Sequence, residues 1–157
     1  MNKLVAVVGM SGTGKSVITD YLESINWKKL YFGGITYKLM EEAGIERTAD
    51  GKSEKEFREK LRKEHGPECY AKFLEPDILE AIKNGNVVLD GLYSWYEYKY
   101  LIEKFPQLIL ICVVTDKKLR YERVAQRPDR AFDRDAIIYR DLSEIENLAK
   151  GGPIAYA

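Results

Sequence analysis

The chain has 157 residues, of which 45% are hydrophobic and 32% charged. This composition provides the core of one globular domain and excludes disordered, collagen-like and coiled-coil proteins. The 25 Lys and Arg residues equal the 25 Asp and Glu residues, so no net field gathers nucleic acid or an anionic membrane, and we expect neither as a partner. With one histidine and two cysteines, the chain lacks the parts of a zinc hydrolase or a Ser-His-Asp enzyme.

The longest apolar run, residues 108–114, is far shorter than the roughly 20 residues that cross a bilayer, and no secretory leader opens the chain. We therefore expect a soluble, cytoplasmic protein.

The first predicted strand is the unbroken apolar run Leu4–Val8, which is typical of a strand covered on both faces of a parallel sheet. A helix follows, with an apolar stripe at helical spacing: Val17, Ile18, Tyr21, Leu22 and Ile25. Residues 27–32 form a weaker strand candidate, because two lysines interrupt it. The next two residues, Gly33 and Gly34, predict either a turn or a place where a ligand approaches the backbone.

The middle section, residues 47–84, is predicted to be helical and highly charged. Gly66-Pro67 separates two helices, and Pro76 is expected to kink or restart the second one. Phe57 and Leu61 give the first of these helices only a thin apolar edge. The sequence thus predicts a peripheral, movable layer here.

Two more apolar runs, residues 87–89 and 108–114, predict further strands, and a second apolar stripe over 137–149 predicts a helix. Strands and helices alternate throughout, and the crossovers are long. This pattern predicts an α/β fold in a single domain, 1–157, with a doubly wound, mainly parallel sheet and helices on both faces.

A phosphate-binding loop is predicted between the first strand and the first helix, where residues 9–16 match G-x-x-x-x-G-K-[ST]. The glycines allow backbone N–H groups to turn inward around a triphosphate. Lys15 is expected to meet the β and γ phosphates, and Ser16 to offer its hydroxyl to Mg²⁺ above a positive helix N-terminus. The candidate nucleotide-binding residues are Gly9, Met10, Ser11, Gly12, Thr13, Gly14, Lys15 and Ser16.

An acidic residue, Asp90, ends the strand at 87–89. A carboxylate at the C-terminal edge of a neighbouring parallel strand points into the same crevice as the phosphates. There it would hold Mg²⁺ through water or take a proton from a hydroxyl acceptor. The alternative is a structural Asp90-Gly91 turn.

Six of the nine arginines fall between residues 120 and 140. Asp116 can pair with Arg120, and Glu144 with Arg140, as solvated ion pairs. The other four are predicted to clamp phosphate oxygens from a short closing loop at 128–133: Arg123, Arg127, Arg130 and Arg134. Six acids over residues 116–141 nearly balance eight Lys and Arg, which argues against a nucleic-acid surface.

Aromatic residues crowd the segment after Asp90, with five in residues 93–100. Tyr93 and Trp95 are candidates to line an acceptor pocket, or they simply pack in the core. Tyr37 presents the same two alternatives.

With these residues placed, the chain resembles the nucleotide-kinase branch of the P-loop fold, which includes adenylate, cytidylate and dephospho-coenzyme A kinases. The strings at residues 90–95 and 150–155 resemble most closely a group of small bacterial kinases labelled dephospho-coenzyme A kinase-like. The resemblance implies a three-layer P-loop NTPase fold with strand order 2-3-1-4, ATP and Mg²⁺, an acceptor-side helical region at about 33–84 and an Arg-rich lid at about 127–135. That family usually continues into another strand and helix, so the last sheet strand is expected to be missing.

Two departures bear on the acceptor. Where adenylate kinases place arginines on the acceptor phosphate, this chain has residues 93–95 and 37–38, and where dephospho-coenzyme A kinases place an Asp, it has Gly33-Gly34. Arg58 and Arg62 are candidate replacement cations, or surface ion pairs. The sequence thus predicts an ATP-dependent phosphotransferase with a small, nucleotide-like acceptor. The alternatives are a dephospho-coenzyme A kinase and an ATP-binding or ATP-hydrolysing switch.

Overall fold

The computed structural model describes residues 2–48, 52–127 and 132–157. Its centre is a four-stranded, wholly parallel sheet of β1 (Leu4–Val8), β2 (Lys28–Tyr31), β3 (Val87–Asp90) and β4 (Ile109–Cys112). The spatial order β2-β3-β1-β4 confirms the α/β class and the strand order that the resemblance implied. Strand β2 confirms the weaker candidate at 27–32.

Eight helices accompany the sheet within the described ranges. They are α1 (Lys15–Ser24), α2 (Phe32–Glu42), α3 (Lys52–His65), α4 (Cys69–Asn84), α5 (Trp95–Lys104), α6 (Lys117–Ala125), α7 (Arg134–Ile145) and α8 (Leu148–Tyr156). None of the helices that the structure describes has the length and apolarity to cross a membrane.

Strand β1 is buried along its whole length because its alternate side chains point to opposite faces of the sheet and both faces are covered. Leu4, Ala6 and Val8 join the larger core, which α2, α3, α4 and α5 complete. Val5 and Val7 join a smaller core beneath α1.

The predicted apolar stripe of α1 is only partly buried. Ile18 and Leu22 pack on the smaller core, whereas Val17 and Tyr21 are 70% and 62% exposed. The helix therefore meets the sheet along a narrower edge than its sequence predicts.

The helical region at residues 33–84 differs from the sequence prediction in three places. Phe57 and Leu61 are both buried in the larger core, so α3 is a packed layer and not a thin-edged one. Gly33 and Gly34 form the first turn of α2, and the Tyr31 ring lies so close that a Cβ on Gly33 would be 2.3 Å from it. Helix α4 runs through Pro76 without a restart.

The predicted helical stripe at 137–149 is divided between α7 and α8, because the side chain of Asn147 caps a new helix by accepting a hydrogen bond from the Ala149 N–H. Helix α8 then packs against both α7 and α5. Its approach is close: a Cβ on Gly151 would lie 1.9 Å from the carbonyl oxygen of Glu144. This helix joins the segment after the arginine-rich loop to the aromatic segment after β3.

Candidate functional site

The loop that follows β1 adopts the backbone shape its glycines permit. Gly12 and Gly14 have φ angles of +84° and +95°, in the left-handed region that other residues rarely adopt. Gly14 is the N-cap of α1, so the helix begins at Lys15 and its free N–H groups face the crevice at the carboxyl ends of the strands. The geometry is that of an anion-binding nest at a helix N-terminus.

The Lys15 ammonium lies inside this loop. Its Nζ donates hydrogen bonds to the carbonyl oxygens of Gly9 and Met10, at 2.7 and 2.9 Å. Burial lowers the pKa of Lys15 to about 8, and the nearby Glu144 carboxylate opposes that shift more than any other charged group. A buried ammonium with a lowered pKa is stabilised by a polyanion that takes up the same position.

Asp90 ends β3 beside the loop, where the sequence predicts it, with its side chain 17% exposed. One carboxylate oxygen lies 3.5 Å from the Thr19 hydroxyl and 3.6 Å from the Lys29 ammonium. The negative charge of Asp90 raises the pKa of Lys15, which opposes the effect of burial. The carboxylate therefore faces the crevice, and a left-handed Gly91 follows it, so the turn and the site position coexist.

A hydroxyl and a carboxylate, from Ser16 and Asp90, fit Mg²⁺, which prefers oxygen ligands and completes its shell with water and substrate phosphates. Among the residues that the structure describes, no group of three or more His, Cys, Asp or Glu side chains gathers as a metal cage. One hydroxyl and one carboxylate leave the other ligand positions of Mg²⁺ to water and substrate phosphates.

One of the predicted arginines, Arg123, lies at the loop, and the charge of a second, Arg127, acts on Lys15. The Arg123 Nη1 atom is 3.9 Å from where a Cβ on Gly14 would stand. The positive charge of Arg127 lowers the pKa of Lys15 further. Arg134 instead lines a groove between α6 and α7, together with Tyr121 and Ile137. Arg130 lies outside the described residues.

Sequence reasoning missed two residues on α7 as members of the site. Arg140 and Glu144 form the predicted i, i+4 pair, in which Arg140 Nε donates a hydrogen bond to Glu144 Oε1 at 3.1 Å. The charge of Glu144 raises the pKa of Lys15, and the charge of Arg140 lowers it. Glu144 is 7% exposed, and its Oε2 atom has no hydrogen-bond partner in the described structure. The four-residue spacing was a signal for the pair, but nothing in the sequence pointed to its place beside the loop.

Arg120 pairs with Asp141, and the prediction that Asp116 pairs with it is wrong. Asp116 is the N-cap of α6, and its side chain accepts hydrogen bonds from the N–H groups of Lys118 and Leu119. The guanidinium of Arg120 makes a bidentate pair with Asp141, at 3.1 and 2.6 Å. The side chain of Arg120 thus pairs with an acid on α7 and not with the N-cap residue of α6.

The aromatic candidates divide between crevice and core. The Tyr93 ring centre is 5.8 Å from Lys15 Nζ, and burial raises the pKa of its hydroxyl to about 12. The Trp95 ring stacks on Tyr98, with centres 5.3 Å apart, and also contacts Tyr156 of α8. Tyr93 thus adjoins the phosphate loop, whereas Trp95 belongs to a packed aromatic cluster.

Three further candidates, Tyr37, Arg58 and Arg62, lie on α2 and α3. Arg62 pairs with the buried Glu97 at 3.3 Å and lies over the Tyr70 ring. Burial raises the pKa of Glu97 to about 7, and the Arg62 charge opposes that shift. Burial raises the pKa of Tyr70, and the positive charge of Arg58, which is half-buried on the same helix, opposes that shift. The Arg47 guanidinium lies over the Tyr37 ring of α2, 4.8 Å from the ring centre.

A family model described as an AAA domain matches residues 5–147. The chain is 29% identical over 158 residues to a UPF0200 protein of Methanococcus maripaludis strain C6, across 99% of this chain and 84% of that protein. It is 31% identical over 159 residues to a UPF0200 protein of Thermococcus gammatolerans, across 98% of this chain and 82% of the relative.

Solved structures share the fold at low sequence identity. A gluconokinase from Sinorhizobium meliloti is 18% identical with a TM-score of 0.52, over 93% of this chain and 76% of that one. A sugar kinase from Janibacter is 14% identical with a TM-score of 0.55, over 94% of this chain and 80% of the other. This likeness, with the family match, supports a P-loop kinase fold.

Proposed function

Because this chain belongs to the AAA domain family, alongside the UPF0200 proteins, and has a P-loop kinase fold, we propose that it is an ATP-dependent phosphotransferase. It moves the γ-phosphate of ATP to a small, nucleotide-like acceptor. The observation that carries the proposal is the half-buried Lys15 ammonium, which two loop carbonyls hold in a glycine-shaped loop at a helix N-terminus. The charges of Glu144, Arg140, Asp90 and Arg127 all act on its pKa. Positive charge from Lys15, Arg127 and Arg140 would stabilise the negative charge that a triphosphate gains during transfer.

Each residue has a role in this proposal. The loop N–H groups hold the β and γ phosphates, Lys15 bridges them, and Arg123 and Arg127 stabilise the charge that develops on the transferred group. Ser16 and Asp90 would hold Mg²⁺, which neutralises phosphate charge when it is bound. Arg130 and Arg134 remain candidate lid residues in the segment at about 127–135.

The reaction breaks the bond between the γ-phosphorus and the oxygen that bridges it to the β-phosphate, and forms a bond from phosphorus to an acceptor oxygen. If that oxygen belongs to a hydroxyl, Asp90 accepts its proton; if it belongs to a phosphate, no base is required. Tyr93, whose ring centre is 5.8 Å from Lys15 Nζ, is the proposed aromatic contact of the acceptor. The other candidate acceptor contacts are Tyr37, Arg58 and Arg62 within the proposed acceptor-side region, residues 33–84, and Trp95 on α5.

An ADP-release assay with a matched acceptor panel tests this function. The panel contains nucleosides, their monophosphates, dephospho-coenzyme A and gluconate, each with Mg–ATP. We expect one acceptor class to raise ADP release about 100-fold above the rate with water and to yield a phosphorylated product. Turnover with dephospho-coenzyme A would make the protein that kinase. ADP release that no panel member accelerates would contradict the proposal and favour the switch.

A further inference from the structure

Thr115, between β4 and α6, and Arg120, within α6, both hold the outer side of the phosphate loop. The Thr115 hydroxyl donates a hydrogen bond to the carbonyl oxygen of Thr13, at 2.9 Å. Nη1 of Arg120 donates one to the carbonyl oxygen of Ser11, also at 2.9 Å. Packing is tight on this side, since a Cβ on Gly12 would lie 2.7 Å from the Arg120 carbonyl oxygen. The carbonyl groups of Ser11 and Thr13 are thus both held by hydrogen bonds from the same side of the loop.

Fixing a carbonyl also fixes an N–H. A trans peptide is planar, and its C=O and N–H point in opposite directions. The carbonyl of Ser11 shares a peptide with the N–H of Gly12, and the carbonyl of Thr13 shares one with the N–H of Gly14. Both N–H groups therefore point away from α6, and neither has a backbone hydrogen-bond partner in the described part of the chain.

The Arg120 anchor is itself held. Its guanidinium binds both carboxylate oxygens of Asp141, and that carboxylate also accepts a hydrogen bond from the Tyr121 hydroxyl at 3.2 Å. The two charged side chains are 7% and 8% exposed. A buried ion pair of this kind is weak evidence for stability, because well-packed apolar replacements are often as stable. It does, however, fix the distance from the loop to α7.

We propose that Thr115 and Arg120 are positioning residues that set the peptide planes of the phosphate loop, so that the Gly12 and Gly14 N–H groups are aimed at the nucleotide's phosphates before it binds. The inference rests on the proposed function of the loop. Donors that are already oriented cost no reorganisation when the anion arrives, and their loss weakens phosphate binding without removing any group that touches the nucleotide.

Thr115 provides the cleanest test, because Val has nearly its shape and Ser keeps its hydroxyl. The affinity of Mg–ADP is measured by calorimetry for the wild type, Thr115→Val and Thr115→Ser, alongside the melting temperature of each protein. We expect Thr115→Val to bind about tenfold more weakly and Thr115→Ser to bind within about twofold of the wild type. Affinity that is unchanged in Thr115→Val, or lost equally in Thr115→Ser, would overturn the inference.

The ion pair gives an independent test through the double variant Arg120→Met/Asp141→Leu. If the pair only stabilised the fold, an apolar pair that keeps the melting temperature would also keep Mg–ADP affinity. We expect instead a folded protein with affinity reduced about tenfold or more. If this variant does not fold, the Thr115 pair of variants decides. A wild type that binds no Mg–ADP would refute the proposed function and this inference with it, whereas normal binding in all variants refutes the inference alone.

Discussion

The substitution Lys15→Met is expected to reduce the rate of ATP-dependent turnover by about 10³-fold or more. It is also expected to stabilise the ligand-free protein. The first effect follows because no other ammonium group lies inside the loop in the described structure. The second follows because burial lowers the pKa of Lys15 to about 8, so the folded chain holds its charged form at a cost of about 3 kcal/mol. The variant also loses two hydrogen bonds to carbonyls, at about 1 kcal/mol each, so we expect a net gain of about 1 kcal/mol at pH 7.

The stability gain has a defined pH dependence. In the unfolded chain Lys15 keeps its proton until about pH 10.4, whereas in the folded chain it releases the proton near pH 8. Between these values the unfolded state binds more protons, so the stability of the wild type rises with pH relative to the variant. The advantage of Lys15→Met is therefore complete at about pH 7, is lost as the pH rises through about 8, and is reversed by about pH 10, where the neutral Lys15 amine no longer costs stability and keeps its two hydrogen bonds. Denaturant unfolding at pH 7 and pH 10 measures it.

Lys60→Met is the matched control, since Lys60 lies on the exposed side of α3, 4.0 Å from Glu64. We expect it to change the free energy of unfolding by less than about 0.5 kcal/mol and to leave turnover intact. Full turnover in Lys15→Met would remove the catalytic account. A Lys15→Met protein less stable than the wild type at pH 7 would show that burial of the Lys15 ammonium does not lower the stability of the folded chain.

Arg127→Ala is expected to lower kcat by about 10³-fold, with a much smaller change in the affinity for ATP. The positive charge of Arg127 lowers the pKa of Lys15, and in the proposed function this guanidinium stabilises the charge that develops on the transferred phosphate. A cation that acts mainly on that charge contributes more to the transition state than to the bound substrate. Steady-state kinetics with the acceptor found in the panel, together with calorimetric ATP binding, separate the two effects.

Arg134→Ala is the comparison for Arg127, because Arg134 lines the groove between α6 and α7 in this structure. We expect it to reduce kcat by less than tenfold. A loss below tenfold in Arg127→Ala would demote that residue to a surface charge. Equal losses in both variants would indicate that the lid segment brings Arg134 to the phosphates in the closed state.

Local patterns account for how much of the fold was predictable. Strand β1 is an unbroken apolar run because both of its faces are covered, and the glycines and Lys15 follow in a fixed register, so strand, loop and helix are legible within one short segment. The position of Asp90 at the end of β3 was predictable for the same reason, since the carboxyl ends of parallel strands face the crevice. The single-domain division and the lid boundaries remain predictions.

Contacts between distant segments account for what was not predictable. Asp116 stands four residues before Arg120, which favours a local pair, yet the tertiary fold brings Asp141 within bidentate reach. Gly33 and Gly34 predict a turn by composition, but the packing of Tyr31 places them in a helix. The membership of Glu144 in the site depends on how α7 and α8 pack, and no spacing in the sequence encodes that packing.

Proton uptake on nucleotide binding tests the central claim most directly. If phosphates bind against the Lys15 ammonium, its pKa rises from about 8 back above 10, and at pH 8.5 the protein takes up about 0.7 proton for each Mg–ATP bound. Calorimetry at pH 8.5 in two buffers of different ionisation enthalpy counts these protons, and the same titration at pH 6.5 is the control. We expect heats that differ between buffers at pH 8.5 in the amount stated, and far smaller uptake by Lys15 at pH 6.5. No binding, or binding at pH 8.5 with the same heat in both buffers, would contradict the account.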